Sequence, residues 1–319
     1  MIAMLGLGLI GVPAFAAGPA RPGTVNYVEG AAYVDGTQVN AKDVGSVNLE
    51  AGQELTTGKG KAEILLTPGV FLRLDDNSAV KMISPDLTLT QVELEKGRAG
   101  IEVDEIHDQN NLQIVDAGVT TRLEKKGYYE FDAGKPTAMV FDGKAAVELG
   151  DGKTKQIKGG HELLLTGEAD GKSIAQEKPE DFNKQKAEDD LYNWNSLRSQ
   201  YLAEANNEMA VEYAGAGVNP GWFWDPYAFG YTYIGMGPFA SPFGWGFYPF
   251  GWGGYGFYGG GYYGRGYYRG GNYGHRVGGY AHGGSVSSFH GGAAGGFHGG
   301  SAMGGGGFHG GGGGGGAHR

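Results

Sequence analysis

The chain contains no cysteine. Disulfides and thiolate metal sites are therefore excluded, while the compartment stays open, since a cysteine-free chain fits either side of a membrane. Acidic residues stop at Asp225, and beyond it only Arg265, Arg269, Arg276 and Arg319 carry a formal charge. That last part is +4, whereas residues 1–225 hold 21 basic and 35 acidic side chains, or −14. An acidic body is a poor partner for nucleic acid, whose phosphates need a basic face, so no nucleic-acid partner is expected. Long apolar runs are scarce too. The one candidate is the opening MIAMLGLGLIGVPAFAAGPA. Pro13 and the small residues after it cut its usable length below the roughly 20 residues a spanning helix needs.

That opening ends in Ala14-Phe15-Ala16, a small-x-small pattern that suits signal peptidase. It lacks a basic leading region, so the natural start lies upstream of Met1 or the signal is atypical. The reading is a signal peptide over residues 1–16 and an exported chain, in the periplasm or at the cell surface. No transmembrane anchor is expected after signal removal.

What is abundant is glycine, 65 of 319 residues, and it is unevenly spread. From Thr24 to about Leu165 the pattern is that of short strands. Val25, Tyr27, Tyr33 and Val39 lie among the turn dipeptides Glu29-Gly30 and Asp35-Gly36. In GKAEILLTPGVFLRLDDNSAVKM, Ala62, Ile64 and Leu66 point one way and Glu63 the other. Pro68-Gly69 supplies a turn. Val70, Leu72 and Leu74 then form one face, with Phe71 and Arg73 opposite. Turns recur about every 8–12 residues, which predicts an all-β sandwich, barrel or short solenoid. No helical stretch long enough for a crossover separates these strands, which argues against a doubly wound fold.

The order of these segments resembles the FecR domain family. LTTGKGKAEILLTPGVFLRLDDNSAVKM looks like the opening strands of that domain, and VELEKGRAGIEV like its leucine-glutamate-x-glycine segment. LQIVDAGVTTRLEKKGYYEFDA is similar to the strand, turn and strand that follow. AMVFDGKAAVEL and KGGHELLL resemble the last two hairpins, turning at Gly143 and at Gly159-Gly160. The resemblance runs from about Leu55 to Leu165. It implies a FecR-like multi-hairpin sandwich or short solenoid without catalytic residues. Well-known family members sense a ligand-loaded outer-membrane receptor and relay the signal across the inner membrane to a sigma factor. No cytoplasmic N-terminal segment or spanning helix is expected from this sequence, so the implication that carries over is an extracytoplasmic β domain, set at residues 23–178.

Chemistry-bearing residues are sparse in that body. His107 and His161 stand beside turns and read as solvated loop residues. Asp75 and Asp76 are neighbours on an extended chain, face opposite ways and read as a turn. Asp189-Asp190 fits the first turn of a helix, where acids suit the dipole. No nucleophile elbow, phosphate loop or metal-ligand spacing occurs there. The expectation is no enzyme, with no catalytic, cofactor-binding or metal residues and no cofactor.

After Lys178-Pro179 an amphipathic helix is predicted over residues 180–213. Leu191, Trp194, Tyr201, Leu202 and Ala205 fall near one face, with Leu197 beside it. Trp194 with Arg198 reads as docking on the chain's own sheet, the alternative being a ridge for a partner. Residues 214–319 read as a disordered Gly/aromatic/His-rich low-complexity tail, in which 23 of residues 222–280 are aromatic. Burying those rings falls short of the entropy of ordering the segment, so it orders only by packing on the body, other copies or a surface. The repeats Phe289-His290-Gly291-Gly292, Phe297-His298-Gly299-Gly300 and Phe308-His309-Gly310-Gly311 hold histidines at spacings that fix no metal geometry and read as a pH-sensitive spacer. The leading function is a non-enzymatic exported β-domain protein mediating envelope association or assembly through its tail, the partner being an envelope protein or another copy. The alternative is an extracytoplasmic sensor that binds a receptor or ligand in signal transduction.

Overall fold

The computed structural model describes residues 20–149, 152–165, 178–213, 219–228 and 230–251. The expected signal peptide, and the segment from residue 252 with its arginines and histidine repeats, lie outside the described residues. Fifteen strands form one sheet: β1 Val25–Val34, β2 Thr37–Val39, β3 Glu54–Leu65, β4 Val70–Leu74, β5 Ala79–Asp86, β6 Leu89–Lys96, β7 Arg98–Val103 and β8 Gln113–Asp116 come first. β9 Val119–Leu123, β10 Gly127–Asp132, β11 Thr137–Val140, β12 Lys144–Glu148, β13 Thr154–Lys158, β14 His161–Leu164 and β15 Glu180–Asp181 complete it. A short helix α1, Lys184–Ala187, leads to the long helix α2, Asp190–Glu212. Two hairpins follow: β16 Gly221–Asp225 with β17 Gly230–Ile234, and β18 Phe239–Ala240 with β19 Gly246–Phe247.

The sheet runs β13-β12-β9-β8-β6-β5-β3-β4-β7-β10-β11-β14-β15, with β1 paired on β3 and β2 on β1. Its pairs are antiparallel apart from β6 with β8, which are parallel across the connection that carries His107. Inward residues from both ends of this order, such as Val147 and Ile157 at one end and Val140 and Leu163 at the other, converge with Leu72, Val92 and Ile101 on one core. The sheet is therefore folded around its own apolar side. Each such aliphatic chain stabilises the fold by about 1.5–3 kcal/mol when fully buried.

Local chemistry explains the turns. Asp35 and Gly36 both take positive φ, 47° and 75°, the pairing that a tight two-residue hairpin between β1 and β2 demands. Glu29-Gly30, expected as a turn, is instead an irregularity inside β1. Gly30 at φ 69° faces Gly60, and a Cβ on it would stand 2.3 Å from the Lys59 carbonyl oxygen. Two glycines opposite one another let the strands bend there without separating.

β4, β7 and β10 lie side by side in the sheet, and residues on both faces of each are buried. Their second face is covered by α2 and the two hairpins. That covering corrects the start of the tail at residue 214. Residues 219–251 form hairpins that pack on the body, the first of the three routes by which the aromatic tract was expected to order. Trp222 meets Phe71 edge-on at 5.0 Å, Trp224 meets Tyr231 at 5.1 Å, and Phe239 stacks on Phe247 at 4.9 Å. Rings that could not offset chain ordering alone do so against a preformed surface. No described helix is long and apolar enough to cross a membrane.

Candidate functional site

The covered outer face of the sheet holds a cluster of buried ionisable groups. Alternation puts Glu63 of β3, Arg73 of β4, Glu102 of β7, and Tyr128 and Glu130 of β10 on this side. The register sets Glu63 opposite Arg73, and Glu102 opposite Phe71 on one flank and Tyr128 on the other. Arg73 is fully buried and bridges two carboxylates. Its Nε donates to Glu63 Oε2 at 2.6 Å and its Nη1 to Glu102 Oε2 at 2.6 Å.

Helix α2 completes the shell. Arg198 Nη2 donates to Glu63 Oε1 at 3.1 Å, Ser199 Oγ to Glu102 Oε1 at 2.5 Å, and Arg73 Nη1 to Asn195 Oδ1 at 3.3 Å. Gly100 makes room for Asn195, because a Cβ there would lie 2.8 Å from the Asn195 amide and 2.5 Å from the Tyr128 hydroxyl. Two guanidiniums thus face two carboxylates. Burial by itself would raise the Glu63 carboxyl, but Arg198 and Arg73 outweigh it and hold it down at about 2. The Arg73 guanidinium is locked in its charged form by Glu102 and Glu63 despite burial.

A second group sits at the start of α2. Asp189 caps the helix, accepting from the Leu191 and Tyr192 amides at 3.0 and 3.3 Å. Arg98 reaches Asp189 at 2.7 Å and Glu130 at 3.1 Å, and the Tyr128 hydroxyl donates to Glu130 Oε1 at 2.7 Å. Burial raises the Glu130 carboxyl to about 7, against the opposing pull of Tyr128 and Arg98. Beside this group opens a cleft of about 820 Å³ where Lys61 pairs with Asp75 and Glu29 accepts from the Trp194 indole at 3.3 Å. Its charges serve one another, as solvated surface ion pairs do.

The hairpins are fastened by buried amides and a hydroxyl. Asn26 Nδ2 bridges Glu63 Oε1 and the Tyr231 carbonyl, and Asn206 Nδ2 donates to the Tyr233 carbonyl at 2.8 Å. The Tyr248 amide donates to Asn206 Oδ1 at 2.7 Å, and Thr232 Oγ1 to the Leu202 carbonyl at 2.6 Å. Gly251 N–H ends the described chain on the Ala210 carbonyl at 3.0 Å.

These geometries revise the helix. Tyr201 and Leu197, placed on or beside the buried face, are half exposed at 50% and 45%, whereas Asn195, Ser199 and Asn206 are fully buried. Polar residues fill that face because they meet charges and carbonyls, not an apolar surface. Trp194 and Arg198 do dock on the chain's own sheet: Arg198 lies 3.9 Å from the Tyr27 ring centroid and Trp194 tilts against Tyr27 at 6.3 Å. Asp76 and Asn77 form the turn predicted at Asp75-Asp76. His107 stands 2.9 Å from Glu105 and is mostly exposed, and His161 is 3.1 Å from Asp181. Among the described residues no three His, Asp or Glu side chains gather as metal ligands do. The network itself escaped the sequence reading. Its trace was an Arg or Glu set singly into apolar strands, at Glu63, Arg73 and Glu102, followed by a polar Asn195, Ser199, Asn206 stripe.

Residues 53–153 match the family model described as FecR protein. No curated protein matches the chain. Two crystal structures of a "putative anti-sigma factor" from Parabacteroides distasonis ATCC 8503, at 1.65 and 2.50 Å resolution, are similar over 42% of this chain. Their identities are 12% and 13%, with TM-scores of 0.35 and 0.34. The match spans 62% of the length of those chains, less than two thirds. The family model covers the sheet from just before β3 to the loop after β12, the stretch that supplies Glu63, Arg73, Glu102 and Glu130, and the chain carries a FecR domain there.

Proposed function

We propose that this chain is a non-enzymatic exported protein whose FecR domain holds and presents the Gly/aromatic/His-rich segment that follows it. That segment mediates association with the cell envelope, or assembly with further copies. The observation that supports this reading is the fastening of residues 219–251. Buried amide, hydroxyl and ring contacts tie both hairpins to α2 and the sheet, so the following residues leave from one defined point at Gly251. The ionisable groups of the covered face are engaged with one another beneath the helix, an arrangement that builds an interface and leaves no open nucleophile–base pair.

The test compares the full chain with a chain ending at Gly251. The full chain should distribute to the envelope fraction, or self-associate by light scattering, and the truncated one should do neither while melting at the same temperature. Equal behaviour of the two would overturn the role of the segment. Deleting only residues 281–319 should remove most of any strengthening of self-association between pH 7.5 and 6, because histidine gains charge in that range.

The second reading is an extracytoplasmic sensor that binds a receptor or ligand, and the FecR domain favours it. An adjacent sigma factor and TonB-type receptor in the genome, with receptor captured by the full chain and by the chain ending at Gly251 alike, would select sensing over presentation.

A further inference from the structure

Asp104 follows β7 directly, two residues from Glu102 on the same side of the chain. It is 3% exposed, and neither carboxyl oxygen receives a donor. Glu102 is the neighbouring carboxyl that acts on it. Both Glu102 oxygens already accept, one from Ser199 and one from Arg73. A buried carboxylate without a donor is costly, whereas a neutral carboxyl can give its O–H to the adjacent Glu102. A proton is thus the missing partner at this point of the interface.

The surroundings tie that proton to the covering layer. Arg73 from β4 faces the pair but is shared between Glu63 of β3 and Glu102. Lys126, in the turn before β10, is the other nearby cation, and it is spent on the hairpin: its Nζ donates to the Ala240 carbonyl at 3.0 Å and lies 5.6 Å from the Phe239 ring. From β17 the Tyr233 hydroxyl bonds the neighbouring Glu105 at 2.5 Å. Tyr128 stands opposite Glu102 on β10 and hydrogen-bonds Glu130, which Arg98 also contacts. On α2, Arg198 is committed to Glu63. Each of these cations is paired with a carboxylate or a carbonyl, and the two N–H groups that have no acceptor, Arg73 Nη2 and Arg198 Nε, make no hydrogen bond to Asp104.

We propose that α2 and the aromatic hairpins form a proton-dependent cover on the FecR domain, which docks with a proton held on Asp104 and loosens when that proton is lost. Ionising Asp104 places two carboxylates side by side beneath the layer, and opening relieves them by admitting water. Burial and the Glu102 charge both hold the Asp104 carboxyl well above the ordinary carboxylate range. The proton is therefore kept by the docked form and released by the open one. The sign follows: docking is strongest in acid and weakens as pH rises above the ordinary carboxylate range. The loss is about tenfold per pH unit for each proton so held, until the docked form itself ionises. Glu130, raised to about 7, adds a second proton of the same sign. This goes beyond presentation of the C-terminal segment and stands without it.

The test is hydrogen exchange on the full chain between pH 5.5 and 8. The protection of residues 221–251 is the ratio of each amide's unprotected exchange rate at that pH to its observed rate, so the intrinsic pH dependence of exchange cancels. Using Glu130→Gln as background leaves Asp104 as the remaining proton. That ratio should fall about tenfold per pH unit. Asp104→Asn, which keeps the shape and donates an amide N–H to Glu102, should hold the ratio flat and high. A flat ratio in the background protein, or the same slope in Asp104→Asn, would overturn the proposal. Should Asp104→Asn fail to fold, the carboxyl carbon shift of Asp104 in the wild-type chain decides. A neutral carboxyl at pH 6 upholds the proposal and an ionised one sinks it.

Discussion

β4 and β7 present two buried faces of opposite chemistry. Inward stand Val70, Leu72, Leu74, Ala99, Ile101 and Val103, all in the main core. Outward stand Phe71, Arg73, Arg98 and Glu102, beneath α2 and the hairpins. The inward face needs only volume and apolar surface, so its partners are interchangeable and its energy is that of area removed from water. The outward face needs particular donors and acceptors, and it draws them from 97 to 135 residues along the chain, at Ser199 and Arg198. One face closes the fold of the FecR domain. The other dictates which C-terminal segment can cover it.

The sharpest way to break the outward face is to take away its central cation. Arg73→Met leaves Glu63 paired with Arg198 and Glu102 buried with no guanidinium partner, and it should cost about 3–5 kcal/mol in denaturant unfolding. An unchanged midpoint would mean that α2 is only loosely seated. The inward counterpart is Leu72→Ala, for which a cavity in the core should cost about 2–5 kcal/mol. The two should differ in their response to pH. The cost of Leu72→Ala should be constant from pH 4 to 8, while that of Arg73→Met should shrink in acid as the orphaned Glu102 carboxylate takes up a proton.

Proton linkage at Glu130 comes next in size. Its carboxyl is raised from 4.5 to about 7, so its contribution is complete below about pH 4.5 and is lost as pH rises to about 7, by at most about 3 kcal/mol. Glu63, lowered from 4.5 to about 2, has the opposite sign: its contribution is complete above about pH 4.5 and is lost as pH falls towards 2. Stability of Glu130→Gln should therefore decline less than that of wild type between pH 5 and 7.5, read from urea midpoints. Parallel curves would show that Glu130 is solvated. Smaller still is Asp189→Ala, which removes the cap of α2 and should lower stability by about 1 kcal/mol in thermal melts. Leu197→Ser, on the exposed side of the same helix, should fall within about 0.5 kcal/mol of wild type.

The legible and the illegible parts of this molecule divide along the same two faces. Alternation at Ala62, Ile64, Val70, Leu72 and Leu74, with turns at Asp35-Gly36 and Pro68-Gly69, was enough to predict strands and an all-β body, because burial of one face repeats every second residue whatever lies across it. The resemblance to FecR domains rested on that same local order. The segment near Trp222 was legible only as a condition: rings spaced by glycine order if something offers them a surface. Whether Leu65, Phe71 and α2 form that surface is a property of the assembled chain, and so is the burial of Asn195, Ser199 and Asn206 on a helix whose larger apolar residues include the exposed Leu197 and Tyr201. Short-range pattern determined the strands, the turns and the apolar core. The tertiary structure alone decided that Arg73 sits between Glu63 and Glu102, that Asp104 is buried with neither oxygen hydrogen-bonded, and that residues 219–228 and 230–251 belong to the folded body. Charges and hydrogen bonds act between specific atoms brought together from distant parts of the chain, and no periodicity records those meetings.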